Sequence, residues 1–190
     1  MLIVEKIFDR LCFYLYFRNQ YKKKFLKYGD NIRWGRDGRF LTIPRSIRIS
    51  CPEKISLGNN VRIDEGVYLQ CHPKGGGIEI KDDCRINSHT HIQAFSKISL
   101  GEKVLVAPFC LMNNGKHGIG DNSAIMDQDY VDCGEISIAA GAWLGHGSKV
   151  LGGVSISSNS TIACSAVVTK SFYSSGAVIV GIPAREVREK

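Results

Sequence analysis

The feature that most constrains this chain is an aliphatic residue at every sixth position. Leu57, Ile63 and Leu69 form one series, Ile80, Ile86 and Ile92 a second, and Leu100, Val106 and Met112 a third. A fourth runs unbroken through Ile138, Leu144, Val150, Ile156, Ile162 and Val168. Four places after most of these aliphatic residues stands a small or β-branched one, such as Val61, Cys84, Thr90, Cys110, Ser148 or Ala166. Helices repeat at about 3.6 residues and plain strands at 2, so neither produces a period of six. A short strand followed by a tight corner does. Three such sides close a triangular coil, and stacked coils make a parallel β-helix. Asn and Gly near the corners tolerate positive φ. The period leaves the handedness open.

Between the third and fourth series the repeat stops. "MNNGKHGIGD" (112–121) is polar and glycine-rich around His117, and the aliphatic spacing resumes only near Ile136. A long loop inside a compact repeat is usually functional or disordered. The expected organisation is an N-terminal helix and lead-in cap over 1–50, a β-helix over 51–170 with an extruded loop at 113–135, and a closing segment over 171–190. Residues 1–28 read as an amphipathic helix, and "HPKGGG" (72–77) as a smaller inserted loop.

Composition narrows the function classes. Seven cysteines and no CxxC pair argue against a disulfide framework or a cysteine zinc site. Cys84 and Cys110 fall at small-residue positions of the repeat and read as reduced core fillers. The apolar run "LCFYLYF" is far shorter than the roughly 20 residues that span a bilayer, and Glu5, Asp9 and Arg10 interrupt any leader pattern. The net charge is +7, and residues 1–40 hold +6 of it, with ten Lys or Arg against four Asp or Glu. That cationic segment, beside aromatic residues, could meet anionic membrane lipid or simply cap the coil stack. No nucleic-acid-binding motif accompanies it. The expected location is cytoplasmic, with peripheral contact at the inner face of the membrane through residues 1–28.

Two stretches carry a resemblance: "INSHTHIQAFSKISLGEKVLVAPFCLMNNGKHG" (86–118) and "ISIAAGAWLGHGSKVLGGVSISSNSTIACSAVVTKSFYSSGAVIVGIPAREVRE" (136–189). They resemble the hexapeptide-repeat acyltransferases, in particular the galactoside and maltose O-acetyltransferases and the O-acetyltransferases of lipopolysaccharide and capsule synthesis. The resemblance implies an all-β, left-handed parallel β-helix, a homotrimer with sites between neighbouring subunits, and acetyl-CoA as co-substrate with no metal required. It implies transfer of acetyl to a sugar hydroxyl in surface-polysaccharide or lipopolysaccharide synthesis. His117 falls on the family's general base, a role suited to imidazole near neutral pH. Asn87 falls on an acceptor-contacting asparagine. Asn114 stands where some relatives carry an acid and is expected beside the acceptor. Trp143, His146 and Cys164 fall on residues lining the CoA channel, Thr169 and Lys170 on a pair near its adenosine end, and Arg185 and Arg188 on arginines placed for its phosphates. Two positions depart from particular relatives: Gly115 stands where some carry an earlier histidine, and Val131 where others carry a histidine after D-x-D-aromatic, echoed here in "MDQDYV". Alternative readings are an N-acetyltransferase on an amino sugar nucleotide, a zinc enzyme of the γ-carbonic anhydrase type using His89, His91 and His117, and a non-catalytic scaffold.

Overall fold

The computed structural model describes residues 27–28, 32–35, 46–120 and 122–187. They form a left-handed parallel β-helix with three flat faces. The first face stacks Lys27–Tyr28, Ile55–Leu57, Ile78–Ile80, Ile98–Leu100, Ile136–Ile138 and Ser155–Ile156. The second runs from Arg33–Trp34 through Arg62–Ile63, Arg85–Ile86, Leu105–Val106, Trp143–Leu144 and Thr161–Ile162 to Val178–Val180. The third carries Arg48–Ser50, Tyr68–Cys71, His91–Ala94, Leu111–Asn113, Lys149–Leu151 and Val167–Val168.

The register explains the period. On the second face Ile63 pairs with Ile86, Ile86 with Val106, Val106 with Leu144, and Leu144 with Ile162. On the third, Leu69, Ile92, Met112, Val150 and Val168 form the equivalent ladder. Every aliphatic residue of the four series lies in the core. The small residues four places on are buried too, at the inner corners. Where they are polar they bond to carbonyls of the next coil: the Cys84 thiol donates to Gly101 O at 3.0 Å, Thr90 Oγ1 to Ala107 O at 3.0 Å, and Ser160 Oγ to Ser174 O at 3.4 Å. Polar groups can therefore sit in the core without an unmet bond. Burial pushes the Cys84 thiol up to about 11, as expected for an inert core filler.

Most corners repeat as well. Three places after most of the aliphatic residues the backbone enters the left-handed region: Asn60, Gly66, Asp83, His89, Lys103, Phe109, Gly141, Gly147, Gly153, Asn159 and Ser165. For a bulky side chain such as Phe109, with φ 61°, that conformation is unusual. Close coil spacing also needs glycine at Gly145, where a Cβ would stand 2.7 Å from Ile162 O and 2.8 Å from Cys164 N.

The stack exceeds the expected limits at both ends. Arg48–Ser50 pairs with Tyr68–Gln70, so the lead-in segment is itself part of a coil. Lys27–Tyr28 pairs with Ser56–Leu57 as a strand, which corrects the end of the helix expected over 1–28; residues 1–26 lie outside the described residues, and the membrane contact assigned to 1–28 lies there with them. At the other end Val178–Val180 adds to the second face and Arg185–Val187 folds back against it antiparallel. No helix among the described residues is long and apolar enough to cross a membrane.

Candidate active site

The corner between the third and first faces is where the repeat breaks. Coil after coil, the chain turns there within a few residues, but after Asn113 it leaves the stack and returns at Ile136. The extruded arm is a β-hairpin in which Gly115–His117 pairs antiparallel with Tyr130–Asp132 and His117 lies opposite Tyr130. Its root is closed by the Cys133 N–H donating to Asn114 O at 2.9 Å.

Asn114 holds the arm to the coil beneath. It has no exposed surface. Its Oδ1 accepts from the backbone N–H of Phe95 at 2.7 Å and of Ser96 at 3.3 Å. Its Nδ2 donates to Ser96 Oγ at 2.9 Å and to Lys97 O at 3.2 Å. An amide offers two donors and one two-sided acceptor, and all are used here. In this structure every hydrogen-bonding group of the Asn114 side chain, expected beside the acceptor, is engaged within the chain.

His117 is exposed on the arm, its ring 4.5 Å from that of Tyr130 at an angle of 60°. Tyr130 in turn stacks on Phe95 at 5.4 Å, and Phe95 meets His72 at 4.5 Å. A line of four rings thus runs up this edge from the loop at 72–77 to His117. Sequence reasoning missed Tyr130 and Phe95, because their contacts join the loop to a coil 35 residues earlier. The only signal was "MDQDYV", read for its missing histidine and not for its tyrosine.

The other expected residues lie on two edges. Asn87, His146 and Cys164 are at the corner between the second and third faces, and Trp143, 45% exposed, is on the second face leading into it. Asn87 is half-buried, and its amide makes no hydrogen bond among the described residues. His89 and Phe109 stack at 5.0 Å along this same corner, and Phe109 meets the His146 ring at 5.4 Å. Thr169 and Lys170 are on the His117 edge, two coils further on. There Lys170 and Arg185 flank a cleft of about 450 Å³ that Phe172, Tyr173 and Glu186 also line. Arg188 lies outside the described residues. His89, His91 and His117 face separate ring partners, Phe109, Tyr68 and Tyr130. No group of three His, Cys, Asp or Glu side chains among the described residues could hold a metal.

Comparison with known proteins agrees with this architecture. No family model matches the chain. It is 25% identical over 156 residues to the Escherichia coli (strain K12) protein named "Putative lipopolysaccharide biosynthesis O-acetyl transferase WbbJ", covering 76% of this chain and 79% of that protein. Among solved structures it resembles AntD, an N-acyltransferase from Bacillus cereus in complex with dTDP and 3-hydroxybutyryl-CoA. The TM-score is 0.72 at 19% identity, over 90% of this chain and 86% of that one. It also resembles a maltose O-acetyltransferase from Clostridium difficile 630, with a TM-score of 0.56 at 21% identity, over 90% of this chain and 73% of that one. These structural likenesses establish the hexapeptide-repeat β-helix.

Proposed function

We propose that this chain is an acyltransferase that moves the acetyl group of acetyl-CoA to a sugar hydroxyl in surface-glycan synthesis. The observation that carries the reading is His117, presented on a braced arm at the point where the coil repeat is most widely interrupted. Its relative in lipopolysaccharide synthesis and its structural neighbours that use CoA thioesters support the same class. In the reaction the imidazole takes the proton from the acceptor hydroxyl as that oxygen attacks the thioester carbonyl. The C–S bond breaks, CoA leaves as the thiolate, and the imidazolium returns its proton to that sulfur. No covalent acyl-enzyme is needed, because the thioester is already activated.

The cofactor residues are assigned to both edges. Lys170 and Arg185 supply cations at a cleft suited to phosphate, while Trp143, His146 and Cys164 line the neighbouring corner. Within one chain the whole third face separates His117 from that corner. A homotrimer resolves this, since three β-helices packed edge to edge bring the His117 arm of one copy beside the second corner of the next. The outward Leu105 and Trp143, paired neighbours on the second face, supply apolar area for such packing.

General-base catalysis typically contributes about 10²–10⁴-fold. His117→Ala should therefore lower kcat by that order with little change in acetyl-CoA binding, read by thiol release and by calorimetry with CoA. Parent-like turnover would refute the assignment. The likeness to an N-acyltransferase bound to dTDP favours a second reading, transfer to the amine of a sugar nucleotide. Offering the enzyme the two acceptor classes side by side, with product mass and base lability of the new acyl bond as readouts, separates ester from amide.

A further inference from the structure

We propose that Tyr130 is a positioning residue for His117, and that Gly115 is the position that makes room for it. This rests on the reading of His117 as the base. Gly115 and Tyr130 belong to opposite strands of the arm, and Gly115 is buried. A Cβ at Gly115 would stand 2.9 Å from Tyr130 Cε1, 3.1 Å from its Cδ1 and 3.0 Å from Phe95 Cβ. Real Cβ atoms essentially never stand within 3.0 Å of another heavy atom, the other two distances are tighter than most, and two of the three atoms belong to the tyrosine ring. A side chain at residue 115 therefore forces the Tyr130 ring to shift from this place.

With glycine at 115, the Tyr130 ring drops into the gap and stacks on Phe95 at 5.4 Å and 20°. Phe95 is itself fixed: its N–H is held by Asn114 Oδ1 at 2.7 Å, and its ring rests on His72. The Tyr130 and His117 ring centroids then lie 4.5 Å apart, with the planes tilted by 60°. An exposed histidine on a hairpin would otherwise sample several rotamers. Its ring is instead set against a row of aromatic rings continuous with the coil stack. The glycine that stands where resembling enzymes carry a second histidine thus marks an exchange: this chain gives up that side chain and braces the remaining histidine from the opposite strand.

Four variants test it: Tyr130→Leu, Tyr130→Phe, Gly115→Ala and the Gly115→Ala/Tyr130→Leu pair. Tyr130 is half exposed and lies outside the coil stack, so its loss leaves the fold in place, which a thermal melt checks. A misplacement of about 1 Å at a catalytic group can cost on the order of a hundredfold. Tyr130→Leu should lower kcat by about tenfold to a hundredfold on that basis, with the KM for acetyl-CoA unchanged. Tyr130→Phe, which keeps the ring, should restore kcat. Gly115→Ala should match Tyr130→Leu, and the pair should be no worse than either alone, because both act by removing one contact. The imidazole proton resonances of His117 report the contact without reference to turnover: they should move in Tyr130→Leu and Gly115→Ala and stay in Tyr130→Phe. Unmoved resonances in Tyr130→Leu, or losses that multiply in the pair, overturn the proposal. If His117→Ala is dead and Tyr130→Leu is fully active, positioning alone falls. If His117→Ala turns over like the parent, the base assignment falls instead.

Discussion

Replacing Asn114 by alanine separates a structural role from a substrate-binding one. Four hydrogen bonds disappear, but they are not equivalent. Lys97 O keeps a partner, because the N–H of Ile136 also donates to it at 3.1 Å. Ser96 Oγ is half-buried and can rotate toward water. The two N–H groups that Oδ1 served, those of Phe95 and Ser96, have no such recourse. Leaving a buried donor unsatisfied costs about 1–3 kcal/mol. The Ser96 bond at 3.3 Å is the weaker of the two, so the total should be about 2–4 kcal/mol. Because the lost bonds tie the arm to the coil below, kcat should fall with stability. Asn114→Asp should recover part of the loss, since a carboxylate still accepts from both N–H groups, but its second oxygen then faces Lys97 O, an acceptor where the amide donated.

Urea unfolding gives the stability change, and amide exchange at Phe95 and Ser96 locates it. A loss of 1.4 kcal/mol or more in local protection is a tenfold faster exchange. Steady-state kinetics supplies the second axis: KM for the acceptor should stay near the parent value in Asn114→Asp. An Asn114→Ala protein with parent-like stability and a raised acceptor KM would refute the reasoning and return Asn114 to the acceptor.

Other consequences follow from the cysteines and the core. Cys164 is exposed while Cys71, Cys84 and Cys110 are buried, so native alkylation followed by peptide mass spectrometry should find Cys164 modified and the three core thiols protected; added CoA should slow the modification if Cys164 lines its site. Burial raises the Cys71 and Cys84 thiols to about 11 from an ordinary value of 9.0. The unfolded chain therefore loses these protons first as pH rises, and stability present below pH 9.0 should fall progressively toward pH 11. The loss is on the order of 2–3 kcal/mol for each thiol, and denaturant midpoints across that range should flatten when both are replaced by alanine. Ile86→Ala, in the middle of the second-face ladder, should destabilise by about 2–5 kcal/mol, read by urea unfolding at neutral pH.

The coil stack was legible because its physics is local and repeated. An inward aliphatic residue, a left-handed corner and a small inner-corner residue recur together at six-residue spacing through most of the stack, so one series suggests the rest. The ends were less legible: the pairing of Arg48–Ser50 with the next coil uses Ile49 alone as its aliphatic residue, too short a pattern to extend the period. The resemblance picked out His117, and the interruption of the repeat pointed to the same place. The residues that hold it were hidden, since Asn114 bonds to partners 17 to 19 positions away and Tyr130 reaches Phe95 only through the arm's return. The same one-coil offset hid the partners of Asn114, where an amide beside a polar, histidine-bearing loop reads as substrate-facing until the groups beneath are seen.

The arm also shows where such a fold can vary. Its two legs meet at Asn114, whose carbonyl accepts the Cys133 N–H, and Gly134, with φ 90°, turns the return leg onto Gly153 of the next coil. Once the root is closed, the length beyond it matters little: each doubling of a flexible loop costs only about 0.6 kcal/mol. The root is different, because Asn114 is fully buried there and its polar groups must be matched. Insertions beyond Gly118 should therefore be tolerated far better than any change at Asn114 or Gly115. The tip, where Ile119, Ile125 and Met126 are exposed, can then vary while His117 stays where the root puts it.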